Sequence, residues 1–128
     1  MRFATLQVFI LVALSPVAAG AEVSTAVERA RSGAFEESGE VRCSQEVGQS
    51  PGTCDANVAR SGASAAVVVS FPNGFARTLT FSDRAFLRGN PTMSGVGTDT
   101  DWHRSDGVYH IRVDDQRFEI PETLIFKD

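Results

Sequence analysis

The residues of this 128-residue chain best suited to chemistry are His103, His110 and Glu119. Two imidazoles and one carboxylate are the donor set of a two-His, one-carboxylate metal site. No short motif unites them, so strands folding back on one another must bring them together. Asp101, Arg112 and Arg117 form a second polar set in the same region. They are suited to holding a partner rather than to catalysis. Ser94 and Gly95, in the glycine-rich stretch 93–98 (MSGVGT), are the remaining candidates for partner contact.

The elements that would position these residues can be argued from turn chemistry. Asp106-Gly107 suits a two-residue hairpin loop, because a type I′ turn needs positive φ at both central positions. That loop sets His103 opposite His110, Trp102 opposite Ile111 and Asp101 opposite Arg112. A second turn at Asp114-Asp115 sets His110 opposite Glu119, Ile111 opposite Phe118 and Arg112 opposite Arg117. Residues 98–120 then form a three-stranded meander. Side chains alternate between its faces. One face carries Trp102, Tyr109, Ile111, Val113, Phe118 and Ile120, a core face on which Trp102 is expected to be buried. The other carries Asp101, His103, His110, Arg112, Arg117 and Glu119. Its simplest reading is the solvated side of a one-sided sheet. The metal site is the alternative.

Other chemistries lack their residues. There is no G-x-S-x-G and no nucleophile set beside an oriented His. Asp99, Asp101 and Asp106 lack the glycine and closing Glu of a calcium loop. The glycine-rich stretch is not G-x-G-x-x-G, and no helix pattern follows it. The chain reads as a non-enzyme without a cofactor.

Residues 1–21 read as a secretory signal: Arg2, an apolar run, Pro16, then Ala19-Gly20-Ala21 as a small-x-small cleavage site. The rest holds eleven Lys and Arg against sixteen Asp and Glu, a net charge of about −5. An acidic chain without a basic cluster argues against nucleic acid and anionic membrane surfaces, and no second apolar run suggests membrane insertion after cleavage. Cys43 and Cys54 are the two cysteines, and an even pair in an exported chain reads as a disulfide.

Residues 22–34 read as a short helix or a mobile lead-in, with Val23, Ala26, Val27 and Ala30 on one face, Ser24 as cap and Gly33 as stop. Residues 35–128 read as one β domain. Strand patterns fall at 41–45, 54–60 and 64–71. A three-residue loop, Pro72-Asn73-Gly74, sets Phe71 opposite Phe75, Val69 opposite Arg77 and Val67 opposite Leu79. Arg77 is the one misfit on that inward face, and is expected to snorkel to the rim or sit at a bulge. A turn at Ser82-Asp83-Arg84 and a short strand with Phe86 and Leu87 follow. Residues 121–126 read as a helical turn or an edge strand over one end of the core. The fold class is all-β: a small antiparallel sandwich or barrel of about seven to eight short strands.

Two stretches resemble known groups. Cys43, Cys54 and residues 58–81 (VARSGASAAVVVSFPNGFARTLTF) resemble small exported bacterial proteins with two Cys and a Pro-x-Gly hairpin followed by Arg and an aromatic-ended strand. That resemblance implies an envelope location and no activity. Ser94-Gly95-Val96-Gly97-Thr98 is similar to the Ser-Gly-x-x-Tyr loop that periplasmic lysozyme inhibitors push into the enzyme's cleft. Thr98 stands where that family has Tyr, and its second motif, Tyr followed by Thr-Lys-Gly, is absent. The resemblance implies that Ser94 contacts a glycosidase.

These observations together describe a periplasmic or secreted β protein that binds a protein partner in the envelope. Glycosidase inhibition through residues 93–98 and metal binding through the His/His/Glu row are the alternatives.

Overall fold

The computed structural model describes residues 19–89 and 98–127. The chain runs α1 (Ala19–Arg31), β1 (Glu37–Ser44), β2 (Gly52–Ser61), β3 (Ser64–Ser70), β4 (Ala76–Ser82), β5 (Ala85–Gly89), β6 (Thr100–Ser105), β7 (Val108–Val113), β8 (Gln116–Pro121) and α2 (Glu122–Ile125). The fold is all-β: among the described residues the eight strands pair antiparallel in the order β5-β4-β3-β2-β1-β8-β7-β6, and the sheet curls into a nearly closed barrel.

The local turns follow the residue chemistry. Asp106 and Gly107 take φ of 53° and 75°, and the β6–β7 register has Trp102 opposite Ile111 and His103 opposite His110. Asp114 takes φ of 52°, and β7–β8 has His110 opposite Glu119. The 72–74 loop sets Val69 opposite Arg77, and the Phe71 N–H donates to the Phe75 carbonyl at 2.8 Å. The β4–β5 connection is tighter than its residues suggest. Ser82 pairs with Ala85, so the loop is two residues, and Asp83 and Arg84 hold φ of 51° and 64°. Positive φ is costly for both residues. The Arg84 carbonyl is fixed there by the Tyr109 hydroxyl, which donates at 2.6 Å.

The barrel interior is filled by Val58, Val67, Leu79, Phe81, Tyr109, Phe118 and Ile120, all 1% exposed or less. Cys43 lies opposite Gly52 and Cys54 opposite Val41, so the two cysteines are diagonal neighbours on the inward face. They form a disulfide with Cα atoms 5.9 Å apart. Ile125 closes one end from α2, a single helical turn, with Leu124 and Phe126 packed beside it. Arg60 holds that turn, donating to the Leu124 and Ile125 carbonyls at 2.8 and 2.6 Å.

Strand β1 begins at Glu37, earlier than its apolar residues indicate. Gly39 makes room there for Leu124, whose Cδ1 would lie 3.2 Å from any added Cβ. Helix α1 is docked rather than mobile. Ala26 and Ala30 seat on Ala59 and Ala66 on the outside of the barrel, with Val27, Phe35 and Val68 around them. Short side chains on both partners let the helix approach the sheet closely. Strand β3 is therefore covered on both faces, which is why its apolar run is nearly unbroken. Among the described residues the helix already runs from Ala19, so Ser24 lies inside it and is not its cap; Gly33, at φ 77°, follows its end. Of the expected signal, residues 1–18 lie outside the described residues and 19–21 lie in α1.

Candidate functional site

His103, His110 and Glu119 come together as the two turns require, on the outward face of β6, β7 and β8. The two imidazoles stack, with ring centroids 4.7 Å apart and planes within 5°. His110 Nδ1 lies 3.7 Å from Glu119 Oε1. A fourth member extends the row into the next strand. Arg42 on β1 lies opposite Glu119, and its Nε is 3.3 Å from Glu119 Oε2. Glu119 is therefore shared between an imidazole and a guanidinium. Face-to-face rings do not converge on one point, and among the described residues no group of three or more His, Cys, Asp and Glu is arranged to hold a metal ion. The row that was a candidate metal site is a cross-strand ladder.

The second row runs Asp101, Arg112, Arg117 and Ser44 across the same four strands. Its first two members are engaged locally. The Asp101 carboxylate accepts from the Trp102 N–H at 2.9 Å. Arg112 donates to Asp99 Oδ2 at 3.3 Å and to the Asp114 carbonyl at 3.1 Å. Arg117 is different. It is exposed, stands directly opposite another arginine, and has no side-chain partner among the described residues. Like charges directly opposed across strands disfavour each other.

The two rows border a shallow cavity of about 350 Å³ lined by Asp101, His103, His110, Arg112 and Glu119, with Arg117 also on its wall. A smaller hollow of about 110 Å³ adjoins it, sharing Arg117 and Glu119 and reaching Arg42, Gln49 and Pro51. Together they make one continuous groove across β6, β7, β8 and β1.

Trp102 is not buried as its register partner suggests; it is 38% exposed. The register is right, but among the described residues β6 is an end of the sheet with no strand paired beyond it. Trp102 keeps its place near Tyr109 on the inward face, with ring centroids 6.0 Å apart. Side chains, not a ladder, bring β5 and β6 together at this seam. Arg84 and Arg104 both reach Glu122 Oε1, at 2.6 and 3.2 Å, and Thr98 Oγ1 donates to the Gly89 carbonyl at 3.3 Å. Burial pushes the Tyr109 phenol above its usual range, so it stays a donor to Arg84.

Arg77 does not snorkel. It is 4% exposed, inside the barrel, and its Nε donates to Gln116 Oε1 at 2.5 Å. Burial pulls its guanidinium below its usual range, and Asp114 opposes that. Ser94 and Gly95 lie outside the described residues, as does most of the stretch read as an inhibitory loop. In comparisons with protein-family models, with curated proteins and with solved structures, none matches this chain.

Proposed function

We propose that the protein is a non-enzymatic binding module of the cell envelope, and that the outer face of β6, β7, β8 and β1 is its binding surface. The observation that carries this reading is Arg117: an exposed guanidinium, without a side-chain partner among the described residues, facing a second arginine on the wall of a groove. Every other charged member of the two rows is engaged by a neighbour. The barrel interior is filled by its own side chains, which leaves the outside to do the binding. The Cys43–Cys54 disulfide is compatible with an oxidising compartment, which supports export. No helix among the described residues is long and apolar enough to cross a membrane.

The test is affinity capture from envelope extract with the immobilised protein. Wild type is expected to retain a discrete partner that Arg117→Glu releases. Equal capture by both would remove this face from the account.

A further inference from the structure

Resting on that reading of the binding face, we infer that the partner presents an acidic polypeptide segment to the groove. The charges point this way. The chain as a whole is acidic, with a formal net charge of −4, yet Arg42, Arg112 and Arg117 gather on one face against Asp101 and Glu119. Glu119 is engaged by Arg42 and His110, and Arg112 by Asp99. What remains is the Arg117 fork, which matches a carboxylate in two parallel hydrogen bonds. A carboxylate seated there also relieves the Arg112–Arg117 opposition. No rearrangement of the ladder is needed, because neither existing ion pair has to open.

The groove suits a chain rather than a single ion. It runs from Asp101 on β6 past Arg117 to Pro51, beyond β1. In its middle stands an Arg without a side-chain partner among the described residues, one of the residue types that dominate protein–protein hot spots. The outlying polar side chains, Gln49 and His103, fit the polar rim of such an interface.

Isothermal titration calorimetry reads the binding. The probes are a synthetic hexaglutamate peptide, a hexaglutamine peptide and an oligogalacturonate of similar length. Hexaglutamate is expected to give a saturable heat of binding, and hexaglutamine none. Binding should weaken with added salt. Arg117→Glu should weaken it by about tenfold or more, while Arg31→Glu, the same change at an exposed site on α1, should leave it within about twofold. Arg117→Gln serves if the reversal disturbs folding, judged by circular dichroism and the melting temperature. The inference is overturned if hexaglutamate gives no saturable heat, if the two reversals act alike, or if the oligogalacturonate binds in preference to the peptide. Should hexaglutamate fail while capture from extract still depends on Arg117, the face stands and the acidic partner falls.

Discussion

Arg77 shows how much one side chain's neighbours decide. Its register position opposite Val69 points it inward, and there it meets Gln116, itself 7% exposed. Removing one partner takes this buried hydrogen bond from the other. Gln116→Leu should cost about 2–4 kcal/mol, since it takes an acceptor from a buried cation. Arg77→Leu should cost about 1–3 kcal/mol by leaving a buried amide unsatisfied. The double variant should cost less than the sum, and urea denaturation of the three proteins measures that coupling. Strict additivity would mean the two do not interact. The pairing was legible in part. The Asp114-Asp115 turn puts Gln116 on the inward face, so two polar residues there called for each other, but no local rule places β4 against β8. Trp102 carries the opposite lesson. Its register was readable from Asp106-Gly107, whereas its exposure depends on β6 lacking a second hydrogen-bonded neighbour among the described residues, which no local pattern states. Trp102→Ala should therefore cost about 1–2 kcal/mol, below the 3–5 kcal/mol of a fully buried aromatic. Its fluorescence should respond to acrylamide in the native state. A cost at the buried value would mean the seam is closed.

At the scale of elements, hairpins were the readable unit. Three turns fixed their registers through residues that tolerate positive φ or preset it. The β1–β8 pairing was not readable, because no turn joins those strands, and with it went Arg42, the fourth member of the His103 row. Helix α1 was visible in Val23, Ala26, Val27 and Ala30, but its docking site on Ala59 and Ala66 was not. Ala66→Leu should push the helix off the sheet and cost about 1–3 kcal/mol, with thermal unfolding as the measure. The end of α1 is tied down by Arg29, which pairs with Glu36. Partial burial of the Glu36 carboxyl works against ionisation, but the Arg60 N–H and the Arg29 guanidinium outweigh it and hold the group below the usual carboxylate range. The folded value is thus lower than the unfolded one. The contribution is fully present above the unfolded value of about 4.3 and is lost as pH falls through the folded one. Glu36→Gln should flatten that acid limb of the stability curve, at a cost below about 1 kcal/mol at neutral pH because the pair is partly exposed. An unchanged acid limb would contradict this.

The whole molecule is a barrel stapled across its β1–β2 hairpin and covered on one side by a helix. Cys43→Ala should lower stability by about 2–4 kcal/mol, and thiol labelling of the denatured, unreduced protein should find no free sulfur. The all-β class and the strand number were legible from turn spacing, since most of the short strands have Gly, Pro or Asp at or next to an end. Closure was not, because it is set by side chains converging on Glu122 from distant parts of the chain. Helix α1 covers the β2–β4 side, and the described residues leave the β6–β7–β8–β1 side open. The central claim is that a partner sits on this open side. A photo-activated cross-linker placed at position 117, and in a second protein at position 31, tests it in the intact envelope. The account predicts one discrete adduct from position 117 and none from position 31. An adduct from position 31 alone, or none from 117, would contradict it.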